Sequence, residues 1–442
     1  MQPSLSFEQA PPISVPYRFF LTAPLFGAAA GLVLVGFGPA ALESRWAPGA
    51  LAMTHLIVVD FMLQVMCGSL LQFVAVVAGA NIWRPRLVAS VVHPLITAGA
   101  VFLVTAFLLE AQALFLLAAL SFALGLGVLL TVMGIALVRT PARGMTIYTL
   151  RLAVVGLLVT VVLGVTLASI LGSVDILESF WSMVALVNVH AAWGLGGWAL
   201  MLVIGVSFMV VPMFQLTPPY PVWLTRVLPA GLFVLLCLWS LQLLGGEPQP
   251  WQPVVLFSGM LLAGSYAAAT LWLQWRRKRR KADVTSTYWR TAMLALAALV
   301  VSWFVFQAVP QLGDHPRSAV WLGVLALPGL FLSVIIGMLY KIIPFLNWLH
   351  LQRVAGFSRN TPNMNRMIPE RAMRGQMRLH LAALGLLLAA VLWPPLAVPA
   401  GLTFTASCLW LEWNLVAAAR LYARLRDEIR AAADAQIARP AG

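Results

Sequence analysis

Apolar segments of about 20 residues or more recur along the whole chain and are separated by short polar loops. Runs of this length are typical of helices that cross the hydrocarbon core of a bilayer. The pattern predicts an all-α polytopic membrane protein with 12 transmembrane helices. Their approximate bounds are 18–38, 50–80, 87–109, 111–138, 146–172, 179–214, 222–244, 252–275, 289–310, 318–348, 378–398 and 400–423.

Glycine and proline recur in the same way in three of these helices. Gly205 and Gly337 are each followed seven residues later by a proline, and Gly68 has an alanine at that place. About 130 residues separate successive helices of this kind, which leaves room for three further helices between them. We therefore expect one transmembrane domain of three pseudo-repeats of four helices, followed by a cytoplasmic helical tail. The approximate bounds are 18–138, 146–275 and 289–423 for the repeats and 424–442 for the tail.

Composition agrees with a membrane protein, since 61% of the 442 residues are hydrophobic and only 10% are charged. A soluble globular domain has about 25% charged residues. The formal charge of +14 does not indicate nucleic-acid binding, because the basic residues lie in loops between the apolar segments. These residues are Arg84, Arg86, Arg139, Arg143, Arg226, the six from Arg276 to Lys281, and Arg353, Arg359, Arg366, Arg371, Arg374 and Arg378.

The loops at the other ends of the helices are mostly neutral, or acidic at Asp175, Glu178 and Glu247. The positive-inside rule then places both termini in the cytoplasm. The longest loop, at 351–376, is polar and basic. We expect it to lie along the inner surface against anionic lipid headgroups.

Four of the ionisable residues within the predicted membrane stand out as candidate sites, because such residues are costly in hydrocarbon. His55 is about one turn into the second helix, and His190 is about 15 Å into the sixth. Neutral imidazole is a common ligand of haem iron and copper, so each histidine could bind metal. Alternatively, each could donate a hydrogen bond to a neighbouring group and simply tie helices together.

The other two ionisable residues are Asp60 and Lys341. Asp60 lies near the middle of the membrane with Gln64 one turn below it, so it could relay protons. It could also pair with Arg151 or Lys341, and this structural pair is the favoured interpretation. Lys341 could alternatively extend to the inner headgroups.

A glycine-rich face in the sixth helix is formed by Gly194, Gly196 and Gly197, with Trp193 and Trp198 beside it. Small residues of this kind permit close packing between helices in a membrane. The face would also fit a flat ligand such as a porphyrin. Close packing is the simpler interpretation.

Three short motifs resemble a known family: GMLYKIIPFL in the tenth helix, THLIVVDFMLQVMCG in the second and VPYRFFLTAPLFG near the start. With histidines on the second and sixth of twelve helices, the chain resembles haem-copper oxidase subunit I, in its cbb-type oxidase, nitric oxide reductase and NnrS-like branches. The resemblance implies this superfamily's fold, the bacterial inner membrane as location, and the lipid bilayer and other respiratory-complex subunits as partners.

The resemblance also implies roles for single residues. His55 stands where the superfamily has a low-spin haem ligand, and His190 stands within about two residues of the first copper ligand. The histidine pair of the tenth helix falls on Leu322 and Val324, and the seventh helix has no histidine pair. The chain is therefore expected to be a degenerate member without a complete haem and copper centre, and not a terminal oxidase.

Two classes of function remain. The chain could bind one haem b or a copper ion through His55 and His190, for electron transfer, sensing or metal handling; no catalytic residue is identified. It could instead be a redox-inert permease or a structural partner of a membrane complex. An unwound helix at mid-membrane would favour the permease. The candidate break is Pro328-Gly329, where a proline kink is the simpler interpretation.

Overall fold

A computed structural model describes residues 9–173, 182–245, 250–278, 283–356 and 363–437 of the chain. Within these ranges the regular structure is entirely helical, and twelve helices are long and apolar enough to cross a membrane. The predicted all-α fold and number of spans are confirmed. The helices are α1 Ser14–Leu42, α2 Pro48–Val77, α3 Pro85–Leu109, α4 Gln112–Arg139, α5 Met145–Leu171, α6 Met183–Gln215, α7 Val222–Gly245, α8 Gln252–Trp275, α9 Val284–Ala308, α10 Pro316–Ala355, α11 Glu370–Leu392 and α12 Pro394–Ala432.

The boundaries differ most from the prediction between α10 and α12. The loop predicted at 351–376 is shorter, because α10 continues to Ala355 and α11 begins at Glu370. Glu370 lies in the first turn of α11 and pairs with Arg374 one turn later at 2.6 Å, so these charges belong to a helix. At the other end, α11 stops at Leu392 instead of near 398 because two prolines begin at Pro394.

Some predicted features fall outside the described residues. They are the loop charges Asp175, Glu178, Glu247, Arg279, Arg280, Lys281 and Arg359, and the last residues of the tail, 438–442. The described part of the tail is helical, since the backbone of α12 continues to Ile437. We call the end of the bundle that carries Arg84, Arg139 and Arg353 the basic face.

Nine of the twelve helices, all except α2, α6 and α10, form a closed ring in chain order, in which each contacts the next of the nine and α12 returns to α1. Glycines allow this closure, since a Cβ atom at Gly31 of α1 would lie 2.7 Å from the carbonyl oxygen of Gly401 of α12. The spans α2, α6 and α10 are the most deeply buried. They form the centre of the molecule and lie against α1, α5 and α9, respectively.

Each central helix contains a π-helical segment of eight residues. We call these π1 (Leu56–Leu63), π2 (Trp193–Leu200) and π3 (Leu325–Leu332). The glycines at 68, 205 and 337 each lie twelve residues after the first residue of their segment. The register of the three central helices is therefore the same, as three pseudo-repeats would require, although the repeat itself stays a prediction.

The α10 helix is continuous through the candidate break at Pro328-Gly329, which lies inside π3. π1 and π2 have the same form and contain no proline. The π segment of α10 therefore does not depend on its proline, and the unwound break that would favour a permease is not formed in this described helix.

Candidate functional site

His55 is the last residue of α2 before π1 begins. Its Nδ1 atom lies 2.8 Å from the carbonyl oxygen of Leu51, one turn earlier in the same helix. Its ring packs against Phe107 of α3, with the ring centres 5.1 Å apart. One face of the imidazole and one of its two nitrogens are therefore fixed by the protein.

His190 lies three residues before π2, and its Nδ1 atom is 3.1 Å from the carbonyl oxygen of Thr160 in α5. Gly164, one turn further along α5, makes room for the ring. A Cβ atom at Gly164 would lie 2.9 Å from Cε1 of His190, closer than such contacts occur. The absence of a side chain at this position thus sets where the imidazole can lie.

The two histidines lie at the same number of residues from the starts of their described helices, and the greater membrane depth of His190 stays a prediction. Each is seven residues from the start of its helix, about 10 Å at 1.5 Å per residue. The two rings are close enough to interact electrostatically.

The pair has the donor arrangement of metal-binding histidines. Such histidines use one ring nitrogen to donate to a carbonyl, which fixes the tautomer and leaves a lone pair on the other nitrogen. Within the described residues, neither His55 nor His190 has a recorded hydrogen bond at Nε2. The same residues contain no group of three or more His, Cys, Asp or Glu side chains that could hold a metal ion. The protein can therefore offer two imidazole nitrogens at this place.

Two other membrane histidines use Nε2 for packing. Nε2 of His93 is 2.8 Å from the hydroxyl of Thr22, and Nε2 of His380 is 3.0 Å from the hydroxyl of Ser333. His315 is exposed and accepts a hydrogen bond at Nδ1 from the backbone N–H of Arg317, so it caps α10. It does not turn inward as a second axial ligand.

The predicted pairing of Asp60 with a basic residue is wrong for the described part of the chain. Nζ of Lys341 lies 2.8 Å from Asp283, which precedes α9 at the basic face. Arg151 donates from Nε and Nη2 to the carbonyl oxygen of Leu137 in α4. Both cations find partners nearer the helix ends, and Asp60 remains fully buried in π1.

Asp283 is the partner of Lys341 that the sequence analysis missed. Its carboxylate also accepts a hydrogen bond from the backbone N–H of Ser286 at 2.8 Å and thereby caps α9. Burial alone would raise the pKa of Asp283. The hydrogen bond and charge of Lys341, together with Ser286, outweigh burial and lower this pKa below its ordinary value.

The glycine-rich face of α6 serves helix packing, as the simpler interpretation predicts. A Cβ atom at Gly156 of α5 would lie 2.1 Å from the carbonyl oxygen of Gly197, so the two backbones touch. Gly194 faces Thr160, and Gly196 faces Leu236 of α7. Neighbouring helices fill the places that a porphyrin would need on this face.

A cavity of about 220 Å³ lies between α2, α6 and α10 in the half of the bundle near the basic face. It is lined almost entirely by apolar side chains in a common register. Val65, Leu202 and Val334, for example, each lie nine residues after the start of a π segment. The polar exceptions are Ser69 and Gln72, and the buried amide nitrogen and oxygen of Gln72 have no hydrogen-bond partner within the described residues. The cavity could have been predicted from the sequence by the presence of a glutamine in an apolar helix.

A comparison with models of known protein families gives no match, and a comparison with curated proteins also gives none. The resemblance to the haem-copper oxidase superfamily therefore stays a prediction that rests on its short motifs.

Proposed function

We propose that this chain is a degenerate haem-copper oxidase subunit I of the bacterial inner membrane, with both termini in the cytoplasm. It binds one haem b or one copper ion through His55 and His190 and acts in electron transfer, sensing or metal handling. The observation that carries this proposal is the like arrangement of the two imidazoles, in which carbonyl groups hold both Nδ1 atoms and each Nε2 atom is left for a ligand.

The residues present fit a metal with two nitrogen ligands. Imidazole suits both copper and haem iron, and neutral imidazole brings no charge into the membrane. The bound metal would supply one-electron redox chemistry. The carbonyl oxygens of Leu51 and Thr160 would fix the tautomers, and Phe107 and Gly164 would fix where the two rings lie.

The common register of α2, α6 and α10 supports the proposal that this protein lacks oxidase chemistry. His55 lies one residue before π1, and His190 lies three residues before π2. Val324 and Leu322 hold these two places before π3. The central helix α10 therefore offers no imidazole at either position, which supports a single metal site in a protein that is not a terminal oxidase.

The test is an oxidised-minus-reduced visible spectrum of the purified protein, with iron and copper measured by elemental analysis. We expect one metal per chain and its loss from His55→Ala and from His190→Ala. His380→Ala is the matched control, because Nε2 of His380 already bonds Ser333, and this variant should keep its metal. Absence of iron and copper from the parent protein, or equal retention in all three variants, would overturn the proposal.

The central cavity favours a second candidate, a permease or another protein that binds an apolar molecule. The Gln72 amide offers an NH2 donor group and a carbonyl acceptor in a cavity whose other lining residues, apart from Ser69, are apolar. If the protein has this function, we expect Gln72→Leu to abolish binding of a medium-chain alcohol. Binding is measured by the shift that the alcohol causes in the melting temperature of the protein. His55→Ala should have no effect on that shift. The reverse pattern of sensitivity would exclude the cavity as the functional site.

A further inference from the structure

Asp60 lies in π1 near the middle of α2, and its side chain is fully buried. Neither carboxyl oxygen has a hydrogen bond from a donor in the described residues. Gln64, one turn later, is also fully buried, and its Oε1 atom also lacks a donor. Three buried acceptor oxygens are therefore left unpaired within one turn of helix, where an unpaired polar atom is costly.

No basic side chain compensates for this carboxyl group. The segments in contact with π1 are the adjoining parts of α2, the middle of α1, α3, and π3 of α10. The titratable side chains on them are His55 and Cys67 of α2 and Arg86 and His93 of α3. Among the described residues, none of these forms a salt bridge with Asp60. An ionised carboxylate without a counter-charge is too costly in such an interior, so the group is buried as the neutral acid.

One proton would satisfy two of the three unpaired oxygens. Protonated Asp60 has an O–H group, and the Gln64 amide lies beside it. The O–H group of the acid could donate a hydrogen bond to Oε1 of Gln64. This one bond would give a partner to Oε1 and to the carboxyl oxygen that carries the proton. The places of Asp60 in π2 and π3 are taken by Gly197 and Gly329, which pack against α5 and α9. The carboxyl group is therefore not needed to form a π segment.

Polar side chains continue from this pair towards the basic face. Nε2 of Gln64 donates to the hydroxyl of Thr97 in α3 at 2.9 Å. His93 lies one turn nearer the basic face on the same helix, and its Nε2 is 2.8 Å from the hydroxyl of Thr22. The Thr22 hydroxyl in turn donates to the carbonyl oxygen of Arg18 at 2.6 Å. Groups that can form hydrogen bonds thus extend from the middle of the membrane to one surface.

We propose that Asp60 and Gln64 form an intramembrane proton-binding site that exchanges with the basic face past Thr97 and His93. Uptake of the proton converts a carboxylate and a hydronium ion into a carboxylic acid and water, and release is the reverse. The exchange therefore needs no other reactant. The site does not depend on metal at His55, since none of its groups is a proposed ligand.

Infrared difference spectroscopy of the full-length protein in lipid tests the bound proton. At neutral pH we expect a carbonyl-stretch band of a buried carboxylic acid that shifts in deuterium oxide and is lost in Asp60→Asn. Glu412→Gln removes a half-buried acid with one buried carboxyl oxygen, and it should leave this band in place. In Gln64→Leu the band should move to higher frequency, because the acid loses its acceptor. A parent spectrum without an Asp60 band, or a band removed by sodium at fixed pH, would overturn the proposal.

The rate at which this band shifts after transfer to deuterium oxide tests the route. Thr97→Val keeps the shape of the side chain and removes its hydroxyl. We expect the band to remain and its exchange to slow by about tenfold, the factor that one neutral hydrogen bond is worth. Thr105→Val, two turns further along α3 and away from the basic face, is the matched control and should exchange at the parent rate. Equal rates in both variants would overturn the route past Thr97.

Discussion

Single nitrogen atoms distinguish the histidines of this protein. His55, His190, His93 and His380 all lie inside apolar helices, and each forms a hydrogen bond with a neighbour. In the first two the bond is at Nδ1, and in the last two it is at Nε2. His350, near the basic end of α10, also uses Nδ1, which lies 3.0 Å from the carbonyl oxygen of Leu346. Because a metal needs the lone pair of the unprotonated nitrogen, the nitrogen used separates His55, His190 and His350 from the packing residues His93 and His380. The type of residue alone does not.

The first prediction concerns the glycine beside His190. Gly164→Ala should displace the imidazole, because the new Cβ atom would lie 2.9 Å from Cε1 of the ring. We expect the metal content of the purified protein to fall by about tenfold or more, as for loss of a group that orients a ligand. Gly134→Ala in α4 is the control, since a Cβ atom there meets nothing within 4 Å. If both variants keep the parent metal content, the position of the His190 ring does not matter for binding.

At the scale of helices, the common register of α2, α6 and α10 is the main finding. Each of these helices has a π segment, and each has a glycine twelve residues after the first residue of that π segment. These glycines pack against Phe19 of α1, Thr149 of α5 and Tyr288 of α9, respectively. π segments are rare and occur often at functional sites. Here they lie directly beside His55 and His190 and contain Asp60.

The second prediction concerns the start of α9. Asp283→Ala removes both the helix cap and the partner of Lys341, and we expect it to lower the free energy of unfolding by about 1–2 kcal/mol. The native pKa of Asp283 is lowered, so its contribution is fully present above the ordinary value of 3.8 and is lost as the pH falls through the native pKa. Denaturation midpoints in detergent between pH 3 and pH 7 measure this, and the difference between variant and parent should become smaller as the pH falls below 3.8.

Asp427→Ala is the control for this prediction. Asp427 forms an ion pair with Arg426 at 2.8 Å, but its side chain is 62% exposed. An exposed pair contributes little, so the loss should stay below about 0.5 kcal/mol. An equal loss in both variants would show that Asp283 acts only as another surface charge.

At the scale of the whole molecule, closure of the ring decides how the centre is protected from lipid. α12 returns to α1 through contacts between glycines, so the first and third predicted repeats meet directly. This closure surrounds α2, α6 and α10 and the cavity between them. Van der Waals packing and close backbone approach provide the attraction between helices in a membrane, where the hydrophobic effect does not.

The third prediction tests this closure. A Cβ atom at Gly31 would lie 2.2 Å from the hydroxyl oxygen of Thr405 and 2.7 Å from the Gly401 carbonyl oxygen. Gly31→Val should therefore lower the free energy of unfolding by about 3 kcal/mol or more, the upper range for overpacking. Gly36→Val lies on the same helix in open space and should change it little. Melting temperatures in detergent compare the two, and equal values would show that the α1–α12 contact does not hold the ring closed.

The sequence alone determined the all-α fold and the number of spans. A run of about 20 apolar residues can satisfy its backbone in lipid only as a helix, whatever its neighbours are. The sequence also singled out His55, His190 and Asp60, because an ionisable residue in hydrocarbon stands out without knowledge of the fold.

Only the tertiary structure decided what these residues contact. The partner of Lys341 is Asp283 and not Asp60. The π segments and the Gln72 cavity were not predicted, since apolar patterns give helix but not the small change in winding that produces a π turn. Side-chain pairing depends on the rotation and depth of each helix in the ring. Packing between helices sets both quantities, and a single helical sequence does not contain them.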